Sequence, residues 1–320
     1  MISNLSPQSQ SFLADIDRVQ QTVSQANQQV SSGLKVNVPS DAPDVISQLL
    51  QLRSDLQKNT QITTNLGSAA TDANVAESAL SSATQLMDQA ISLAAQGATA
   101  TMTASDRQNL AGEVEAVEDQ MLTCSQTQSA GVYVFSGDQP TQPTYQLDLT
   151  NANLAPNGTQ TGTGYGVDRL IIPSNTRLVE DPSGGTFAVS MTAQQIFDDR
   201  NANGTPASDN VFQAIDNLRT ALLSNNQNGI TAATTALKSA SDHLNQCLAF
   251  YGNTQDRVQA AQSFAANYNV QLQTQISQIQ DADVASASLE LSEGTTHIQA
   301  AFEMESNIPR TTLFKYLGQS

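Results

Sequence analysis

Apolar residues recur along this chain at alternating steps of four and three. From Ile62 the series runs through Leu66, Ala69, Ala73, Ala76, Leu80, Ala83, Met87, Ala90 and Ala94 without a polar interruption. A spacing averaging about 3.5 residues is the heptad pattern of helices packed side by side. Gly97 closes the seam; carried back to about Val45, the helix would span ~80 Å at 1.5 Å per residue. A second helix is expected from Ser105, where Ser105-Asp106-Arg107-Gln108 fits a capping box. Its seam reads Leu110, Val114, Val117, Met121, Cys124, and the short link between the two helices predicts an antiparallel hairpin. A third long seam runs from Leu237 through Ala240, Leu244, Cys247, Tyr251, Thr254, Val258, Ala261, Ala265, Tyr268, Leu272 and Gln275 to Ile279. The simplest way to bury matching seams from distant parts of a chain is against each other.

Both ends of the chain carry shorter amphipathic patterns. Phe12, Ile16, Val19, Val23, Ala26 and Val30 form one stripe; Leu289, Ile298, Ala301, Phe302 and Leu313 mark another within about 283–317. Each is marginal alone, since nothing within the segment buries its stripe. Between about 138 and 206, Gly, Pro, Asn and Thr cluster around short β-type runs at 144–149, 169–172 and 186–191. The expected fold is mainly α with a β-rich insert, a long antiparallel helical bundle built from both ends of the chain. Its divisions are 1–44 with 281–320 as terminal helices, 45–138 with 207–280 as bundle, and 139–206 as insert, expected to fold as a local unit.

Composition narrows the function. Lys and Arg number 13 against 30 Asp and Glu, a formal charge of −17. Nucleic-acid backbones and anionic membranes need basic patches, so neither is an expected partner. Charged residues are only 13% and aromatics 5%, with no Trp, which suits long polar helices with narrow apolar seams better than a compact enzyme. No run of 18 apolar residues is present, and the first twenty residues lack the basic and apolar regions of a Sec signal.

Candidate chemistry is sparse. Glu113, Glu115, Glu118 and Asp119 are expected on a solvated helix face, and His243 and His297 stand alone in sequence, so no catalytic or cofactor-binding residue is assigned and no cofactor is expected. Asp199-Arg200-Asn201-Ala202-Asn203-Gly204 matches the start of a calcium loop, but its twelfth position is Asn210 rather than a bidentate Glu. A polar turn leading into a helix is the expected reading, and no metal is assigned. Cys124 and Cys247 lie on seams as small buried hydrophobes; antiparallel packing of their helices would bring them near enough to consider a disulfide.

Three stretches resemble one family. Residues 31–44, SSGLKVNVPSDAPD, resemble the segment after the N-terminal helix of bacterial flagellins and their hook–filament junction relatives. Residues 131–138, GVYVFSGD, are similar to a Gly-x-Tyr-x-Phe-Ser-Gly turn of the junction branch. The tail, from Asp281-Ala282-Asp283 through Ile298-Gln299-Ala300-Ala301 to Leu313-Phe314-Lys315-Tyr316-Leu317, resembles the family's C-terminal helix. The resemblance covers about 1–138 and 207–320; Pro43, the Tyr133/Phe135 turn and the Lys-Tyr-Leu ending favour the junction branch over filament flagellins. One departure is Asp41-Ala42, where the family usually has two acids.

The resemblance implies a structural, non-enzymatic adaptor of the bacterial flagellum, exported through the flagellum's own type III channel and located outside the cell. Its implied partners are further copies of itself, the adjacent hook-associated protein, flagellin, and an export chaperone before secretion. Assembly would run through paired terminal helices, with Ile16, Val19, Val23, Ile298, Ala301, Phe302, Leu313, Phe314 and Leu317 as interface residues, exposed in the isolated chain and buried on docking. The alternatives are a filament flagellin subunit and an unrelated extracellular coiled-coil adhesin or binding module.

Overall fold

The computed structural model describes residues 7–149 and 165–307. In chain order the elements are α1 (Pro7–Ser32), α2 (Ile46–Gly97), α3 (Ala104–Ser125), β1 (Gln128–Ser129), β2 (Val132–Tyr133), β3 (Tyr145–Leu147), β4 (Val167–Arg169), β5 (Leu178–Glu180), β6 (Thr186–Ala188), α4 (Ala193–Phe197), α5 (Val211–Leu223), α6 (Gln227–Gln280) and α7 (Val284–Asn307). They form two compact units. One comprises the described residues up to Lys58 with those from Tyr268 onward, and the other runs from Asn59 to Asn267.

In the larger unit the heptad seams become core. Every seam residue of α2 from Ile62 to Ala94 is buried, as are Leu237, Ala240, Leu244, Cys247, Tyr251, Thr254, Val258, Ala261 and Ala265 of α6. The two helices run antiparallel: Asn59 Nδ2 donates to Ala265 O at 2.8 Å, and Gln255 Nε2 to Glu77 Oε2 at 2.6 Å. The hairpin from α2 to α3 closes through Arg107, whose guanidinium donates to Gly97 O at 2.9 Å and Thr99 O at 3.1 Å. These carbonyls have no partner within α2 because the helix ends there. Helix α3 starts two residues earlier than the Ser105 box implied. Thr103 is the N-cap, its hydroxyl bonding Asp106 N while the Asp106 carboxylate accepts from Thr103 N. Those bonds hold the Asp106 carboxyl below its usual range.

The described residues between α3 and α5 include three antiparallel strand pairs, β1–β2, β3–β4 and β5–β6, and they do not stand apart from the helices. Tyr145, Tyr165, Val167, Ile196 and Phe197 share one core with α2, α3, α5 and α6. Val179, Phe187 and Val189 form a second core with Ile62, Leu66, Ala69, Val258 and Ala261. The few aromatic residues are concentrated at this junction: Phe135 meets Phe197 edge-on at 5.8 Å and Tyr251 at 6.3 Å, and Phe212 packs on Tyr145 at 5.2 Å. A stretch expected to fold as a local unit therefore supplies core to the bundle, because narrow Ala-rich seams leave gaps that large side chains from outside the helices fill.

Polar groups also lie inside, Glu118 and Asp198 among them. Glu118 is fully buried rather than on a solvated face. Its carboxyl is pushed up to about 8 by burial first and the nearby Asp216 second, with Arg219 opposing. Arg219 Nε stands 3.7 Å from Glu118 and 3.0 Å from Asp216 Oδ1. Asp198 is likewise buried but well satisfied, accepting from Tyr145, Tyr165, Arg200 and Asn210, with Arg169 at 3.5 Å.

Candidate assembly surface

The smaller unit contains the stretches from both chain ends. On α1, Ile16 and Ala26 are buried and Phe12, Val19, Val23 and Val30 half-buried; on α7, Ala287 and Gly294 are buried and Leu291, Ile298 and Ala301 half-buried. Both sets step by four and three, and the two helices pack on each other. They approach closely at Gly294, where a Cβ would collide with Val23 Cγ2 and lie 4.0 Å from Val19 Cγ1.

Ile16, Val19, Val23, Ile298 and Ala301 thus pack within the chain itself instead of standing exposed. The reason is that α7 presents a matching seam. The α7 stripe also differs from the one expected, since Leu289 and Phe302 lie off the heptad and are exposed. Leu313, Phe314 and Leu317 fall outside the described residues.

A polar junction ties the helix ends together, and it is built from two of the stretches singled out in the sequence. Lys35 N donates to Gln280 O at 2.7 Å and Ala282 N to Gly33 O at 2.9 Å, with Leu34 and Asp281 paired antiparallel. Gly33 has φ +71, the left-handed conformation that ends a helix most cheaply with glycine. Asp41 Oδ2 accepts from both Asn37 N and Val38 N at 2.8 Å, so this one acid closes the turn beside Ala42. Asp283 opens α7 by accepting from Ala285 N and Ser286 N, and the Ser286 bonds lower its carboxyl below the usual range. Arg53 Nη2 reaches Gln280 Oε1 at 2.9 Å on the same junction.

This unit leaves several large apolar side chains uncovered. Leu13, Val38, Leu50, Val270, Val284, Leu289, Phe302 and Met304 are all exposed, Phe302 by 54% and Met304 by 68%. The larger unit, with many more described residues, exposes only Ile172, Leu178, Leu223 and Phe264 among its large hydrophobic side chains. Exposed apolar area concentrated in a minor part of a chain marks an interaction surface. Heptad spacing identifies the α1 stripe; on α7 the contact is marked by Gly294, since a glycine inside a helical seam signals close backbone approach.

The third singled-out stretch, 131–138, acts elsewhere. Phe135 enters the aromatic core, and Gly137 at φ +56 lies so close to Pro173 Cβ and Asn175 O that a Cβ would meet them at 2.9 and 2.5 Å. Asp138 Oδ1 accepts from Ser174 N at 3.1 Å. This turn fastens the β region to the bundle.

The polar loop 199–204 folds as a tight turn. Asn203 Oδ1 accepts from Thr205 N at 3.1 Å, Asn201 Nδ2 donates to Pro206 O at 3.0 Å, and Asn210 caps α5 by accepting from Gln213 N. Its Asn side chains bond within the loop instead of converging on a centre. His243 is not isolated: Asp209 Oδ2 lies 3.5 Å from its Nδ1. Cys124 and Cys247 are both free thiols, Cys247 buried and its thiol pushed up to about 12 by that burial.

Comparison with known proteins agrees with this layout. The family model of the bacterial flagellin N-terminal helical region matches residues 2–140, and that of the flagellin C-terminal helical region matches 232–317. Flagellar hook-associated protein 3 of Salmonella typhimurium is 27% identical over 202 residues, 61% of this chain and 58% of that protein. The Escherichia coli protein of the same name is 31% identical over 111 residues, 34% of this chain and 35% of its own length. The crystal structure of FlgL from Xanthomonas campestris superposes with a TM-score of 0.56 at 16% identity, covering 70% of this chain and 99% of that one, a likeness of fold.

Proposed function

The chain belongs to the flagellin family, carrying its two helical regions near opposite ends, and from that premise we propose that it is the structural adaptor joining a hook-associated protein to the flagellin filament. The observation that carries this reading is the α1–α7 pair, a helix from each family region, whose seam is closed within the chain while Leu13, Leu289, Phe302 and Met304 remain exposed around it. The pair is a preassembled unit that docks as one piece. Residues 1–44 with 281–320 line the inner tube, the bundle of 45–138 with 207–280 forms its outer layer, and 139–206 lie on the outside. An adaptor ring needs two different faces, one for the preceding hook-associated protein and one for flagellin, which is a heterologous geometry. The protein performs no catalysis and works outside the cell, self-associating in the ring after export with the help of a chaperone.

Cells lacking the protein should build hooks but release flagellin into the medium, as read by electron microscopy and immunoblotting. Changing Leu313, Phe314 and Leu317 together to Ser removes about 1.5–3 kcal/mol of burial for each side chain that docking would bury fully. That variant should be exported, helical and absent from the hook tip. Normal filaments in that strain would overturn the assembly role of the terminal segment, and normal filaments in the deletion strain would overturn the adaptor reading.

A further inference from the structure

We propose that Asp199, Asp209 and His243 bind a divalent transition cation of the zinc class, which staples the α4–α5 loop to helix α6. One donor atom from each residue lies within 4.8 Å of the other two. The residues come from three places: Asp199 follows α4, Asp209 precedes α5, and His243 is on α6.

The imidazole is oriented for this role. Its Nε2 lies 2.9 Å from the Gln195 carbonyl oxygen. A carbonyl only accepts, so Nε2 carries the proton, and the Nδ1 side is turned to Asp209 Oδ2 at 3.5 Å. A ring N–H held by a backbone carbonyl is the usual outer support of a metal-bound histidine. The 3.5 Å separation exceeds the ~2.7–2.9 Å of a charge-assisted hydrogen bond. It suits two donors on one tetrahedral ion, which stand about 3.3–3.4 Å apart at bonds near 2.0–2.1 Å.

Charge and donor type select the ion. Two carboxylates offset a divalent charge, and a chain of net charge −17 attracts cations. Calcium takes six to eight oxygens, whereas one nitrogen with carboxylates is a zinc-type set, completed by water. Asp199 thus serves a different centre from the calcium loop its sequence suggests: Asn201 and Asn203 are engaged inside the turn, and Asn210 is bonded to Asp198 and Gln213.

The test uses the full chain, stripped with a chelator and titrated calorimetrically with zinc chloride or calcium chloride. One zinc should bind per chain, and the melting temperature should rise by about 4–6 °C at a hundredfold excess over Kd. Calcium at the same concentrations should give no shift. Asp209→Asn and His243→Ala should each lose at least tenfold in zinc affinity while keeping the far-UV helical signal; His297→Ala and Cys124→Ser should bind as the unsubstituted chain does. Absence of zinc binding overturns the proposal. So does zinc binding that Asp209→Asn and His243→Ala leave intact, which would place the ion elsewhere.

Discussion

Among individual residues, Glu118 carries the largest conflict between side chain and surroundings. Among the described residues neither carboxylate oxygen has a hydrogen-bond partner, and Gly166, at φ +80, lies directly over it, where any Cβ would strike Oε1. Because burial pushes the Glu118 carboxyl up to about 8, the folded chain keeps a proton that the unfolded chain releases near its ordinary 4.5. The folded state therefore binds more protons between these values, and stability falls as pH rises through that window. Denaturant midpoints of the native chain should drop from pH 5 to pH 9 relative to those of Glu118→Gln. The difference should be on the order of 2–4 kcal/mol at the alkaline end. Parallel pH profiles for the two proteins would show that Arg219 neutralises the site. Glu113, Glu115, Glu118 and Asp119 read as one solvated face by residue type, although position 118, four after Val114 and three before Met121, shares their side of α3.

At the scale of elements, the α1–α7 pair depends on glycine. In a free helix, Gly294→Ala would gain about 1 kcal/mol from helix propensity. Here the added methyl runs into Val23 Cγ2, a stiff β-branched side chain. The substitution should weaken the pair and raise amide exchange in α1 and α7, leaving the larger unit as protected as before. Adding Val23→Ala should restore protection by making room for the methyl, and the non-additivity of the two changes measures the contact. If Gly294→Ala alone increased protection, the close approach would not constrain the pair.

For the whole molecule, the test concerns the β-rich stretch. Replacing residues 139–206 with a short Gly/Ser linker removes Tyr145, Ile196 and Phe197, which bury Phe135, Phe212 and Tyr251. Each lost large side chain costs about 3–5 kcal/mol when its cavity cannot collapse. The shortened protein should retain helical far-UV signal but melt at a lower temperature, with weakened near-UV signal. A melting temperature equal to that of the full chain would mean that the helices close their own core. The pairing of α1 with α7 is separable from this, since those helices lie in the other unit.

Periodicity alone determined the long helices. A heptad is a local repeat, so α2 was expected from about 45 to 97 and is found from Ile46 to Gly97, with each seam residue from Ile62 to Ala94 buried. The order of the flagellin-like stretches was legible for the same reason, since helix ends and turns leave short signatures such as Gly33 and Asp41. Tertiary structure decided the rest. The pairing of the two terminal helices was expected, but the structure closes α1 on α7 within the single chain and leaves Phe302 outside, because a stripe shows that a face will be buried but not which of its residues meet the partner. It gathered Phe135, Tyr145, Phe197, Phe212 and Tyr251 into one core and brought Asp209 to His243 across 34 residues of sequence. Such juxtapositions arise from chain reversals between elements, and no pattern within either segment encodes them.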